Sequence, residues 1–208
     1  MKRKTLTAVG FLTAFVLWTL AVKTVDVQAI GPGGSAVGFA TVNGWFHRLT
    51  GVHMTLYTIT DWLGLVPVAV GFGFAILGLA QWIKRKSLWK VDWSLLVLGG
   101  FYLVILAAYI FFEIVVINYR PVILEASYPS SHTMLSIGIC TTAIFTLHEL
   151  IKDRKALLIV ADVFCVAVAL TVLLGRLLSG VHWLTDIVGG VLLSAGLVMM
   201  YYAVSNLK

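Results

Sequence analysis

Two arginines, two histidines, an aspartate and a pair of serines stand at the ends of long apolar runs in this chain. They are Arg120-Pro121, then Pro129-Ser130-Ser131-His132, then Arg176 followed by His182 and Asp186. Ionisable groups are costly in hydrocarbon and mark functional sites when they occur there. The mixture is chemically coherent. Guanidinium groups and hydroxyls hold phosphate oxygens. One imidazole can attack phosphorus while another protonates the leaving oxygen. His182 and Asp186 share one face if a helix carries both. The carboxylate would then accept a hydrogen bond from one imidazole nitrogen and leave the other free to attack. Ser130 or Ser131 is placed to cap the helix that follows, and that helix N-terminus offers N–H groups to an anion. His132, at its start, is placed as general acid, and Arg120 adds a second guanidinium. Phosphoryl transfer depends on positioning and charge neutralisation, which these groups supply without a metal.

The elements that must position these groups are membrane helices. The chain has 208 residues, 60% hydrophobic and only 12% charged, with mean hydropathy +0.99. Soluble domains are nearer half apolar and a quarter charged. Six helices of about twenty residues each would use most of the length, so an all-α integral membrane bundle is expected, as one domain over residues 1–208. The spans read as Leu6–Val22, Leu56–Ile83, Trp93–Ile117, Thr133–Leu150, Ala156–Leu174 and Trp183–Val204. The first follows Lys2-Arg3-Lys4 and resembles a signal peptide without a clear cleavage pattern, so it reads as an uncleaved span. Between the first two spans, Gly31-Pro32-Gly33-Gly34 breaks any helix. Phe39, Val42, Trp45, Phe46 and Leu49 then recur at helical spacing, predicting a short amphipathic helix in the interface that caps the bundle and is compatible with shaping an entrance for lipid.

The net charge of +6 reflects topology, and no nucleic-acid partner is expected. With the N-terminus in the cytoplasm, eleven cations fall inside: Lys2, Arg3, Lys4, Lys84, Arg85, Lys86, Lys90, Lys152, Arg154, Lys155 and Lys208. Four fall outside: Lys23, Arg48, Arg120 and Arg176. This is the direction of the positive-inside rule. Both termini are then cytoplasmic, and all three motifs meet at the extracytoplasmic face of a cell membrane. Cys140 and Cys165 lie inside apolar runs and read as packing residues. No cysteine spacing indicates a metal or disulfide site, and no cofactor is expected.

The motifs resemble those of the type 2 phosphatidic acid phosphatase superfamily, whose membrane members are six-helix lipid phosphatases. The family pattern is K-x-x-x-x-x-x-R-P, P-S-G-H and S-R-x-x-x-x-x-H-x-x-x-D. This chain offers Glu113 to Arg120-Pro121, Pro129-Ser130-Ser131-His132, and Gly175-Arg176 to His182 to Asp186. The resemblance implies that His182 is the nucleophile forming a phosphohistidine, Asp186 its orienting carboxylate and His132 the acid. It implies a phosphate cradle of Arg120, Arg176, Ser130 and Ser131, with no metal. The expected partners are the bilayer and a lipid phosphate or diphosphate of the undecaprenyl diphosphate, phosphatidylglycerophosphate or phosphatidate class. A lipid phosphotransferase and a non-catalytic lipid-phosphate binder or transporter are the alternatives.

Three positions depart from the pattern. Ser131 replaces Gly and keeps a backbone N–H. Gly175 replaces Ser and removes a hydroxyl. Glu113 replaces Lys, and an ionised carboxylate there would repel phosphate. It could instead pair with Arg120 or meet a cationic group on the substrate, and Lys23 or Arg48 could supply the missing charge. Other polar residues have plainer readings. His47, His53, His148 and Asp61 read as interfacial, and Asp162 as a buried hydrogen bond or helix contact. Trp62, Trp82, Trp89, Trp93 and Trp183 fit interfacial belts, and Gly189-Gly190 with Ser194 lets helices approach closely.

Overall fold

The computed structural model describes residues 2–207; Lys208, counted among the inner cations, lies outside them, and so do Met1 and the side chain of Lys2. Eight α-helices follow one another: α1 (Lys2–Thr24), α2 (Ala40–Thr50), α3 (Met54–Leu63), α4 (Leu65–Arg85), α5 (Trp93–Ile114), α6 (Ser131–Leu150), α7 (Lys155–Leu178) and α8 (Leu184–Ser205). Six segments are long and apolar enough to cross a membrane, with α3 and α4 together forming the second. The six-span expectation therefore holds, with ends shifted by a few residues. The largest shifts are at α1, which already starts at Lys2, and α7, which runs on to Leu178.

The second span is broken at Gly64, which ends α3 and starts α4. A continuous helix of that length, 32 residues, would far exceed the hydrocarbon thickness of about 30 Å at 1.5 Å per residue. The break lets α3 pack against the end of α7 while α4 packs on α5 and α6. It also makes room for His132: a Cβ on residue 64 would stand 2.5 Å from His132 Cδ2.

Helices α6 and α8 are the most buried spans and form the centre, with α1 packed along α8. The small-residue expectation for their contact is met. A Cβ at Gly189 would stand 2.6 Å from the Tyr128 ring and one at Gly190 3.0 Å from the Ser130 carbonyl oxygen. Ser194 Oγ donates to Gly190 O at 2.6 Å, satisfying its hydroxyl within the helix. The outward faces of α4, α5 and α7 expose Phe72, Ile76, Leu103, Val160 and Val163, as surfaces facing lipid should. Cys140 and Cys165 are buried and unpaired.

The amphipathic helix is α2, and its anchorage fits a cap. Buried Asn43 donates to Gly38 O at 2.7 Å and to Thr185 Oγ1 at 3.0 Å, and accepts from the Thr185 N–H at 3.2 Å. Trp45 and Leu49 stay exposed on its other side. The loop before it is pinned by Asp26, whose carboxylate accepts from the Thr41 N–H at 2.7 Å. That backbone hydrogen bond, with Gln28, holds the Asp26 pKa below its ordinary value. At the other end of the bundle, His148 Nε2 lies 2.8 Å from Asp162 Oδ2. The helix-contact reading of Asp162 is correct, and His148 is its partner, not a lone interfacial ring.

Trp183 departs from the belt expected for it. It is 3% exposed, and its indole N–H donates to Tyr119 O at 2.8 Å. It serves as the N-cap residue of α8, inside the protein.

Candidate active site

One end of the bundle gathers the start of α6, the end of α7, the start of α8, helix α3 and the loop from Asn118 to Ser130. Ser179-Gly180 makes the expected turn between α7 and α8, with Gly180 at φ +69°, a conformation that suits glycine. Residue 180 also lies against the Gly51 carbonyl, where a side chain would overlap backbone.

His182 and Asp186 are brought together, but not as expected. Helix α8 begins only at Leu184, so His182 is outside it, and its Nδ1 lies 3.8 Å from Asp186 Oδ2. That is too far for a hydrogen bond. Ser127 fills the interval: its Oγ is 3.0 Å from His182 Nδ1 and donates to Asp186 Oδ2 at 2.5 Å. The hydroxyl has one proton and gives it to the carboxylate, so it accepts from the imidazole. Nδ1 therefore carries the hydrogen, and Nε2 is left with its lone pair. Asp186 also accepts from the Trp183 N–H at 2.9 Å and from Asn118 Nδ2 at 3.1 Å. A carboxylate so bound is fixed in place. Burial pushes the His182 pKa below its ordinary value, against the pull of Asp186. The imidazole is therefore neutral at neutral pH.

Sequence reasoning missed Ser127 and Asn118. The available signal was position alone: both lie in the loop between two motifs. Removing the bridging hydroxyl by Ser127→Ala should lower kcat by about 10- to 100-fold, by analogy with other outer-shell partners, with little change in KM. Wild-type kcat in a folded variant would show that the bridge does not orient His182.

His132 and Arg176 meet at a residue that had been read as interfacial. Asp61, on α3, accepts from Arg176 Nη2 at 2.5 Å, and the same oxygen stands 3.2 Å from His132 Nε2. Arg176 is fully buried, and its guanidinium lies 4.8 Å from the centre of the Tyr57 ring, a cation–π distance. Arg120 donates from Nη1 to Tyr57 Oη at 3.2 Å, so one tyrosine side chain contacts both guanidinium groups. Arg176 Nε and Nη1, His182 Nε2 and His132 Nδ1 are buried and have no hydrogen-bond partner among the described residues.

The remaining candidates divide. Ser130 caps α6, its Oγ accepting from the Thr133 N–H at 3.5 Å and from Thr133 Oγ1 at 3.0 Å. It is fully buried, so its hydroxyl is committed to the cap. Ser131 lines a narrow crevice with Tyr109, Glu113 and Ser127. Glu113 is exposed and forms no ion pair with Arg120. The carboxylate near Arg120 is instead Glu125, at 3.6 Å, carried across by the pairing of Tyr119 with Ala126. At the other departure, a Cβ on Gly175 would overlap the Thr60 methyl group. The absence of a side chain there is what lets α3, and with it Asp61, lie against α7. Tyr109 also borders an apolar groove of about 400 Å³ between α4, α5 and α6, lined by Val68, Phe72, Tyr102, Leu106 and Leu135.

The PAP2 superfamily model matches residues 118–208, the stretch that holds all the motifs except Glu113. That match agrees with the resemblance carried by the motifs, and the chain has a fold like that of a transmembrane PAP2 phosphatase. Among solved structures, it is similar to one described as the first transmembrane PAP2-type phosphatidylglycerolphosphate phosphatase from Bacillus subtilis. The likeness has a TM-score of 0.65 at 16% identity and covers 95% of this chain and 94% of that one. Comparison with curated proteins gave no match.

Proposed function

We propose that this protein hydrolyses the phosphate or diphosphate monoester of a membrane lipid, as a single membrane-embedded domain with its site at the extracytoplasmic face. The observation that carries the reading is the convergence of buried donors without protein partners, Arg176 Nε and Nη1, with the free His182 Nε2. A phosphoryl group supplies acceptors for the first and an electrophile for the second. Arg120, Ser131 and the α6 N-terminus complete the cradle. The lipid chain lies in the apolar groove that meets the crevice at Tyr109.

The reaction runs in two balanced steps. The His182 Nε2 lone pair forms a bond to phosphorus as the bond to the lipid oxygen breaks. That oxygen keeps the electron pair and takes a proton from His132. Water then attacks phosphorus and gives its proton to His132. The phosphorus–nitrogen electrons return to His182, and orthophosphate leaves. Candidate substrates are undecaprenyl diphosphate, phosphatidylglycerophosphate and phosphatidate. Phosphatidylglycerophosphate is also the substrate class named for the Bacillus subtilis protein. The side chains supply charge neutralisation and proton transfer themselves, so no metal is required.

The test is orthophosphate release from prenyl diphosphates and glycerolipid phosphates by detergent-purified protein, with and without EDTA. Release should persist in EDTA. Loss restored by magnesium would mean a metal-assisted mechanism. Product formed only when an acceptor lipid is present would mean a transferase. Lipid binding with no turnover would mean a binder.

A further inference from the structure

Asp61 lies where the proposed mechanism needs a phosphate or leaving oxygen. One carboxylate oxygen touches both Arg176 Nη2, at 2.5 Å, and His132 Nε2, at 3.2 Å. A ring nitrogen carries a single N–H and serves one acceptor. While Asp61 stands 3.2 Å from Nε2, it occupies the place a leaving oxygen would need to take that proton. The other ring nitrogen, Nδ1, is buried without a partner. An orienting carboxylate would be expected on the nitrogen turned away from the reacting group, as in the His182–Ser127–Asp186 chain. Asp61 is on the opposite nitrogen, at the open side of the ring. Its side chain is 48% exposed, against 0% for Arg176, so it has room to swing toward solvent while the guanidinium stays fixed.

We propose that Asp61 is an internal anion occupying the phosphoryl position between Arg176 and His132, which withdraws when substrate binds and returns to expel orthophosphate. The proposal rests on the phosphate cradle described above. Two anions in contact with the same guanidinium and imidazole repel each other. A lipid phosphate must therefore outcompete the carboxylate to enter. After hydrolysis, the carboxylate competes with inorganic phosphate, which has no apolar chain to help hold it. Residue 61 thus sets both how strongly a headgroup must bind and how readily product leaves. The short helix α3 is suited to this because the break at Gly64 separates it from α4.

The experiment compares wild type, Asp61→Asn, Asp61→Ser and Arg176→Gln in detergent. Equilibrium binding of orthophosphate is measured directly, together with its inhibition constant during lipid phosphate hydrolysis. Both Asp61 variants should bind orthophosphate about tenfold tighter or more, the scale of removing one adjacent like charge. Arg176→Gln should bind it more weakly than wild type. Unchanged or weaker orthophosphate binding in both Asp61 variants overturns the proposal and makes Asp61 an orienting group for His132, with the loss then appearing in kcat. If wild type and Arg176→Gln bind orthophosphate alike, the cradle itself is misplaced, and the Asp61 proposal falls with it.

Discussion

Replacing His182 with alanine should abolish phosphate release, with a loss on the order of 10⁴-fold or more, as expected when a covalent nucleophile is removed. The expectation follows from the tautomer. Ser127 gives its only proton to Asp186 and so takes one from His182 Nδ1, leaving Nε2 as a buried base with no protein partner. Rapid alkaline quench of wild type should trap a phosphoenzyme stable to base and lost on acidification, as a phosphoramidate is, and the variant should show none. The same geometry fixes a pH dependence. Burial lowers the His182 pKa from the ordinary 6.5, so the reactive neutral form persists below that pH. The acid limb of kcat/KM due to this group should therefore lie below pH 6.5, not at it. A His182→Ala protein that folds and turns over within tenfold of wild type would sink the mechanism.

His132→Ala should cost about 10²- to 10⁴-fold, the usual range for a general acid, and the size should depend on the leaving group. A lipid alkoxide needs the proton from His132. A nitrophenolate does not, so the deficit should shrink markedly on an aryl phosphate bearing a nitro group. Equal losses on both substrates would assign His132 to binding or packing instead. The starting position of the ring favours the acid role: it lies one residue inside α6, beside Arg176 and Asp61. The leaving oxygen would meet it there.

How much of this was legible in the sequence depended on the range of the interaction. Long apolar runs mark the spans, and the first, second and fourth spans end near the expected residues because those runs meet charge. The cap at Ser130 and the turn at Ser179-Gly180 were local and were read correctly. The His182–Asp186 pair was anticipated as a direct contact on one helix face. That spacing rule holds only inside a helix, and α8 starts after His182, so the gap opens and Ser127 enters it. In the sequence Asp61 reads as an interfacial acid because its partners are remote, Arg176 lying 115 residues further on. No periodicity connects them; the break at Gly64 and the packing of α3 on α7 do. Glu113 was offered Arg120 as a partner by sequence proximity, but the turn that pairs Tyr119 with Ala126 brings Glu125 to Arg120 instead. Trp183 looked like a belt residue because a tryptophan at a span end usually is. Here the loop carbonyl of Tyr119 draws it inward.

The bare backbone at Gly175 has a consequence for how this protein can diverge. Where the family pattern has serine, any Cβ would overlap the methyl group of Thr60. Positions 60 and 175 therefore behave as one site with two halves. A lineage cannot regain the serine hydroxyl by a single substitution without pushing α3 off α7 and carrying Asp61 out of reach of Arg176. The route back runs first through a smaller residue at 60, so among related chains a side chain at 175 should travel with glycine, alanine or serine at 60.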